Sequence, residues 1–170
     1  MPKLPVTLRP ARTSDVPAIQ AIVRPHADSR VLLQKEKVAY YEAIQEFVVA
    51  EDEAGELVGF GALHVMWEHL AEVRTLAVAD RARGGGVGHE LLEELVRRAQ
   101  EIGVSQVFCL TFEVGFFTAH GFDVMVDQSA VDPEVYAELL RSHDEGVAEF
   151  LDLARVKPNT LGNTRMIRTL

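Results

Sequence analysis

The sequence predicts an α/β (α+β) protein built on a single mixed, mostly antiparallel sheet with helices on both faces. Three observations predict this class. Short segments rich in β-branched residues alternate with longer segments of helical periodicity. Two strand-like segments flank a turn that contains Gly55, which indicates an antiparallel hairpin. A strand, a long amphipathic helix and a second strand then follow over residues 73–110, which indicates a β-α-β unit.

The first half of the chain supplies strands and two helices. A short strand is predicted at Val6–Arg9, and the polar residues Thr13 to Asp15 cap a helix with apolar residues at helical spacing. A second helix is predicted at Lys37–Gln45. Two strands, Phe47–Ala50 and Leu57–Met66, form the hairpin around Gly55.

The second half contains the β-α-β unit and a tail of short elements. The central helix has one apolar face, and Glu-Arg pairs four residues apart lie on its other face. The predicted elements are strand Val73–Val78, helix Gly86–Ile102, strand Gln106–Leu110, helix Phe116–His120, strand Phe122–Val126, helix Pro133–Leu140 and strand Arg165–Leu170.

Composition limits the classes of function. A chain of 170 residues is expected to form one domain, residues 1–170. The net charge of −9 argues against nonspecific nucleic-acid binding and against a polybasic membrane surface. There is no long apolar run and no signal-peptide core, and the only cysteine is Cys109, so we expect a cytoplasmic protein.

The most informative segment is the glycine-rich loop, Arg83–Gly88, between a β-branched strand and the long helix. A helix N-terminus carries unpaired N–H groups and partial positive charge. Glycines allow the backbone to approach an anion closely. The loop therefore predicts a phosphate or pyrophosphate site, and the competing interpretation is a flexible turn.

Two common phosphate-binding motifs do not fit this loop. A P-loop requires Lys and then Ser or Thr after its last glycine, whereas His89 and Glu90 follow Gly88. A dinucleotide fingerprint, Gly-x-Gly-x-x-Gly, would place its last glycine at His89 or Leu91. What remains is Arg-x-x-Gly-x-Gly, formed by Arg83, Gly86 and Gly88 directly after the strand.

This motif resembles the pyrophosphate loop of the GNAT superfamily of N-acetyltransferases, and the order of elements resembles the GNAT fold. The resemblance implies acetyl-CoA (coenzyme A) as cofactor. It implies that the backbone of the strand end holds the thioester and that the loop holds the pyrophosphate. The implied cofactor-binding residues are Leu76, Ala77, Val78, Arg83, Gly84, Gly85, Gly86, Val87 and Gly88.

Further segments are similar to one GNAT branch, the amino-acid N-acetyltransferases of the N-acetylglutamate synthase type. They are Leu110–Phe112, Phe116-Phe117 followed by Gly121-Phe122, and the substrate-side segment Val31–Lys35. The resemblance covers about residues 7–126. It implies transfer of acetyl to the α-amine of glutamate or glutamine, the first step of arginine biosynthesis, by an acetyltransferase domain that carries no kinase-like domain.

Catalysis requires a base, because an α-amine is mostly protonated at neutral pH. Glu72 is the first candidate, acting through water from the end of the strand, and His64 is the second because histidine titrates nearest neutrality. Surface or core roles are the alternative for both. Many GNAT enzymes place a tyrosine acid where this chain has Phe117. No metal ligand set is expected.

A glutamate acceptor has two carboxylates, which require cations. The candidates are Arg30, Lys35 and Arg74, and each could instead be an exposed charge. Two other functions remain open: a GNAT enzyme acting on another small amine or a protein N-terminus, and a non-catalytic acyl-CoA sensor. The exposed edges of an open sheet favour a homodimer.

Overall fold

A computed structural model describes residues 2–28, 35–126, 131–151 and 162–170. Within these ranges, the strands are β1 (Thr7–Pro10), β2 (Phe47–Glu51), β3 (Leu57–Trp67), β4 (Leu70–Val78), β5 (Gln106–Thr111), β6 (Asp123–Val124) and β7 (Thr164–Thr169). The helices are α1 (Val16–Asp28), α2 (Lys37–Glu42), α3 (Val87–Ile102), α4 (Val114–Ala119), α5 (Pro133–Leu139) and α6 (Glu145–Phe150). Three short 3₁₀ helices lie at Thr13–Asp15, Ile44–Glu46 and Asp80–Ala82.

The strands form a seven-stranded open sheet in the order β1-β2-β3-β4-β5-β7-β6. Most neighbouring strands are antiparallel, and β4 pairs in parallel with β5. That parallel register joins Leu70 with Gln106 and ends at Glu72 with Phe108. The predicted fold class, a mostly antiparallel sheet with helices, is confirmed. None of the helices in the described ranges is long and apolar enough to cross a membrane.

The internal contacts divide the chain into two compact units. The first comprises Met1–His64 and Val73–Ile102. Its core joins the apolar face of α1 to β2 and β3, with Ile19, Phe47 and Phe60 almost fully buried. Burial of a large apolar side chain contributes roughly 1.5–3 kcal/mol, so this cluster fixes α1 on its strands.

The second unit comprises Val65–Glu72 and Gly103–Leu170. Its core packs Phe108 of β5 edge-on against Phe150 of α6, with 5.2 Å between the ring centroids. The side chain of Asp144 caps α6 by accepting a hydrogen bond from the Val147 N–H at 3.1 Å. These contacts position β5, the strand that pairs with the start of β4.

Several boundaries differ from the sequence-based predictions. Strand β4 begins at Leu70 rather than Val73, because its first residues pair with β5. The predicted helix Lys37–Gln45 is divided into α2 and a 3₁₀ turn. The predicted strand Phe122–Val126 contracts to β6, which pairs with β7 only at Asp123 and Val124. Helix α6 is an additional element that the sequence-based predictions did not include.

Candidate active site

The glycine-rich loop leaves the 3₁₀ turn Asp80–Ala82 and enters α3. Gly84 has φ +76° and Gly86 has φ +84°, which lie in the left-handed region that side chains disfavour. The backbone conformation of the loop therefore favours glycine at both positions.

The start of α3 presents backbone donors at the end of this loop. The helical ladder begins where Glu90 N–H donates to Gly86 O at 3.1 Å. The N–H groups of Val87 and Gly88 therefore precede the first helical donor and have no acceptor within the helix. The helix has 16 residues, and its dipole places partial positive charge at this end. The loop and helix end together fit an anionic group such as a pyrophosphate.

Gly85 has a different role from the glycines on either side of it. The Leu4 N–H donates to Gly85 O at 2.9 Å. A Cβ added to Gly85 would lie only 2.8 Å from the Leu4 Cβ, so no side chain fits without a shift. The glycine pattern by itself predicts that every glycine of the loop allows an anion to approach the backbone. In the structure, Gly85 is buried against the chain that precedes β1.

The arginines near the loop are held by carboxylates of the same unit. Arg83 is 62% exposed, and its Nε lies 3.1 Å from an oxygen of Asp80. Arg81 contacts Asp52 at 2.8 Å and Glu56 at 3.1 Å, both at the β2–β3 turn. The side chain of Arg83 therefore lies beside the loop, whereas the side chain of Arg81 contacts the turn between β2 and β3.

The strand β4 carries a backbone feature that the sequence analysis missed. Thr75 has φ +58°, the only positive value among the non-glycine residues of the described ranges. For a β-branched residue this conformation is strained by about 1–3 kcal/mol, and such strain often marks functional sites. It directly precedes Leu76–Val78, the segment predicted to bind the thioester. Threonine is a strong strand former, so no local signal could have revealed it.

Glu72 lies within β4 rather than at its end. It is 5% exposed and pairs in register with Phe108 of β5. Burial raises the pKa of the neighbouring Cys109 thiol, and the charge of Glu72 raises it further. The first candidate base is thus a buried carboxyl group near the Cys109 thiol.

His64, the second candidate base, has a carboxylate partner. Its Nδ1 lies 2.7 Å from Glu46 Oε1, and the two side chains are 26% and 28% exposed. A carboxylate on one ring nitrogen orients the imidazole and selects its tautomer. Glu46 ends the 3₁₀ turn before β2, and the sequence analysis missed it because the two residues are far apart in the chain.

The predicted acceptor cations are only partly described. Arg74 is half-buried on β4, and Lys35 is half-buried just before α2. Both belong to the first unit. Arg30 and residues Val31–Gln34 of the substrate-side segment lie outside the described residues.

Phe117 of α4 occupies the position where a tyrosine acid was considered. It is 6% exposed, and its ring packs edge-on against Phe116 and Phe122 at 5.2 Å and 5.1 Å. The side chain is thus a core residue of the second unit. The structure gives it no polar atom with which to donate a proton.

A cavity of about 500 Å³ opens beside α1 in the first unit. It is lined by apolar residues, among them Ile22, Pro25 and Leu57, and by the charged residues Glu56, Asp80 and Arg81. None of the predicted site residues in the described ranges lines it. The cavity opens beside the 3₁₀ turn Asp80–Ala82, which directly precedes the glycine-rich loop.

The comparison with protein families defines the class. Residues 17–122 match the model of the acetyltransferase (GNAT) family. This range includes β4, the glycine-rich loop and α3, whose geometry fits a pyrophosphate. The chain therefore belongs to the GNAT acetyltransferase family. It is an acetyltransferase, and its cofactor is acetyl-CoA.

Individual relatives are similar over different shares of their length. An amino-acid acetyltransferase of Mycobacterium tuberculosis is 50% identical over 96% of this chain and 94% of its own. The crystal structure of Rv2747 from Mycobacterium tuberculosis, in complex with CoA and NLQ, superimposes with a TM-score of 0.91, at 50% identity, over 96% of this chain and 99% of that one.

Longer relatives are matched only in part. An amino-acid acetyltransferase of Neisseria meningitidis is 34% identical over 69% of this chain and 27% of its own length. The N-acetylglutamate synthase of Neisseria gonorrhoeae, complexed with coenzyme A and N-acetyl-glutamate, has a TM-score of 0.76 at 25% identity, covering 99% of this chain and 36% of that one. These comparisons support N-acetylation of an amino acid.

Proposed function

We propose that this protein transfers the acetyl group of acetyl-CoA to the α-amine of glutamate, with glutamine as the alternative acceptor. The product would be an N-acetylated amino acid, and with glutamate the reaction would open arginine biosynthesis. The observation that carries this proposal is the similarity, over nearly the whole chain, to an amino-acid acetyltransferase. The complex of the gonococcal synthase with N-acetyl-glutamate supports glutamate as the acceptor.

The cofactor supplies an acetyl thioester, and the chain supplies its binding groups. In this proposal the backbone of Leu76–Val78 lies along the thioester arm. The N–H groups at the start of α3 and the residues Arg83, Gly84 and Gly86 bind the pyrophosphate. Gly85 contributes indirectly, because its carbonyl oxygen accepts the hydrogen bond from the Leu4 N–H.

A base must remove a proton from the acceptor ammonium before the amine can attack. We propose Glu72 or His64 for this role. Glu72 is buried on β4, three residues before the strained Thr75. His64 is oriented by Glu46 through Nδ1, so its Nε2 is the ring nitrogen that would take the proton.

The isosteric variant Glu72→Gln and the variant His64→Gln separate the two candidates. Loss of a general base costs about 10²–10⁴-fold in rate, so one variant should lose that much and the other far less. The acidic limb of the rate profile against pH should disappear only in the variant that removes the base. Equal small losses in both variants would exclude both residues as the base.

The acceptor carboxylates require cations, and we propose Lys35 with Arg30 or Arg74. Removing one partner of a buried charge-assisted pair costs roughly 2–5 kcal/mol. We therefore expect Lys35→Ala to raise the Michaelis constant for the amino acid by about thirtyfold or more. The Michaelis constant for acetyl-CoA should stay nearly unchanged.

The same two constants provide the control for this variant. A folding defect would alter both. An effect on acetyl-CoA alone would assign Lys35 to the cofactor, and no effect on either constant would make it a surface lysine. Lys37, an exposed residue of α2, supplies the matched variant Lys37→Ala, which should change neither constant.

Release of free coenzyme A thiol from acetyl-CoA, measured with a panel of acceptors, tests the proposed reaction. Glutamate and glutamine should give the highest kcat/KM, and N-acetyl-glutamate, whose amine is blocked, should give none. Faster turnover with another amine or with a peptide N-terminus would favour the second enzymatic function. Cofactor binding without turnover on any acceptor would favour the acyl-CoA sensor.

Growth tests the pathway assignment. Expression of this chain should restore growth without arginine to a bacterium that lacks its own N-acetylglutamate synthase, and the Gly86→Asp variant should not. The proposal also includes a cytoplasmic location, a single domain of residues 1–170 and a homodimer. Light scattering on the purified protein tests the dimer.

A further inference from the structure

The segment before β1, residues Pro2–Pro5, lies on the glycine-rich loop. Its backbone is joined to the loop by the hydrogen bond from Leu4 N–H to Gly85 O, 2.9 Å long. The side chain of Leu4 packs closely there as well, because it occupies the space that a Cβ of Gly85 would need. The segment is therefore anchored at one defined position beside the loop.

The anchor directs Lys3 across the loop towards the first turn of α3. The Lys3 Cγ lies 3.8 Å from the position of a Cβ on Gly86. Its Nζ lies 2.6 Å from Glu90 Oε1. The side chain is 74% exposed, so a ligand in solution can reach the ammonium group.

Glu90 places a negative charge in the first turn of α3, next to the proposed pyrophosphate site. A carboxylate in the first turn of a helix interacts favourably with the helix dipole. The same carboxylate repels a pyrophosphate bound at that helix end. Lys3 is the cation that pairs with this carboxylate, and its ammonium lowers the pKa of Glu90.

We propose that Lys3 is a cofactor-binding residue whose ammonium group binds a phosphate oxygen of coenzyme A at the loop, positioned there by the contact of Leu4 with Gly85. This inference rests on the proposed pyrophosphate site. Before binding, Nζ pairs with Glu90. On binding, Nζ lies between the carboxylate and the phosphate and counters both charges.

The alternative is an ordinary surface ion pair, and such pairs contribute little to stability. The two interpretations differ in what Lys3→Met should do. Methionine retains the apolar length of the side chain and removes its charge. We expect the dissociation constant of coenzyme A, measured by calorimetry, to rise about tenfold, and Lys3→Arg to stay within about threefold of the parent.

Two controls make the measurement specific. Arg97 also forms exposed ion pairs on α3, with Glu94 and Glu101, but it lies further along the helix. Arg97→Met removes the same charge and should leave coenzyme A affinity unchanged. Acetylpantetheine carries the thioester without the phosphates, so its kcat/KM should be equal in the parent and in Lys3→Met.

Three results would overturn the assignment. They are unchanged coenzyme A affinity in Lys3→Met, an equal loss with acetylpantetheine, and full recovery of affinity when Glu90→Gln is added to Lys3→Met. The last would make Lys3 only a counter-ion of Glu90. If Gly86→Asp also binds coenzyme A normally, the loop assignment itself fails. If Gly86→Asp weakens coenzyme A binding and Lys3→Met does not, the loop remains the cofactor site and Lys3 is not part of it.

Discussion

At the scale of single residues, Gly86 allows the conformation of the loop to be separated from its charge. Its φ of +84° is tolerated by Asn and Asp better than by other side chains, and a Cβ would make only an ordinary contact with Lys3. Both residues also cap helices well. Gly86→Asn and Gly86→Asp should therefore fold equally, while the negative charge repels the pyrophosphate.

We expect the dissociation constant of coenzyme A to be at least about tenfold higher for Gly86→Asp than for Gly86→Asn, a difference of about 1.4 kcal/mol. Calorimetry measures the binding, and circular dichroism melts verify that the two variants are equally stable. Equal affinities in the two variants would mean that no anion binds at this residue.

Phe117 provides the second test at this scale. Its ring is enclosed by Phe116 and Phe122, so the hydroxyl of Phe117→Tyr would enter an apolar environment. We expect a lower melting temperature and a turnover rate within about tenfold of the parent, a barrier difference of about 1.4 kcal/mol. Phe116→Tyr, on the adjacent half-buried residue, is the control. A much larger gain in rate would show that the site can use an acid at this position.

At the scale of elements, one ion cluster joins β1, the first 3₁₀ turn and β2. Arg9 donates to both carboxylate oxygens of Asp15, at 2.7 Å and 2.9 Å, and also to Glu51. The Arg12 N–H donates to Asp15 at 2.7 Å. The hydrogen bonds from Arg9 hold the pKa of the Asp15 carboxyl below its usual range.

This lowered pKa gives stability a definite pH dependence. A carboxyl with a depressed folded-state pKa contributes fully above its unfolded pKa, about 3.9, and the contribution is lost as pH falls through the folded value. Asp15→Asn should therefore cost about 3 kcal/mol at pH 7 and reduce the loss of stability on acidification below about pH 4. Urea unfolding at several pH values measures both effects.

An exposed ion pair supplies the comparison for Asp15. Glu138 of α5 pairs with Arg141, which lies just beyond the end of that helix, and the two side chains are 49% and 73% exposed. Glu138→Gln should change the free energy of unfolding by less than about 0.5 kcal/mol at any pH. A similar response to the two substitutions would show that the cluster around Asp15 does not stabilise the fold.

At the scale of the whole molecule, cofactor binding and stability are linked. A ligand at about 100 times its dissociation constant adds about 2.7 kcal/mol to the stability of the state that binds it. For a chain of 170 residues this corresponds to a rise of about 5–10 °C in the melting temperature. Coenzyme A should produce this shift in the parent. Gly86→Asp should show almost none, and a full shift in that variant would place the site elsewhere.

The fold could be predicted from the sequence because it depends on local signals, and the shape of the glycine-rich loop depends on local signals in the same way. Gly84 and Gly86 adopt backbone angles that other residues avoid, so the pattern of glycines records the shape of the loop directly. The periodicity of α3 and the hairpin around Gly55 are local in the same sense.

Features that depend on distant parts of the chain could not be predicted. Glu46 contacts His64, and Lys3 contacts Glu90, through positions that only the tertiary fold brings together. Thr75 has a positive backbone φ, although threonine favours the extended conformation of a strand. The packing of Leu4 against Gly85 could not be predicted either. The sequence shows that a glycine is present, but it does not show which neighbouring residue leaves no room for a side chain there.

The burial of Cys109 has a practical consequence for measurement. It is the only cysteine, it is 1% exposed, and burial raises the pKa of its thiol. Thiolate is the reactive form, so the folded protein should be inert to the disulfide reagents that detect coenzyme A. The signal in a thiol-release assay then belongs to the product alone. In the absence of acetyl-CoA, the rate at which the reagent labels Cys109 would measure how often the protein unfolds enough to expose this thiol. Cys109 is therefore an internal reporter of rare unfolding events.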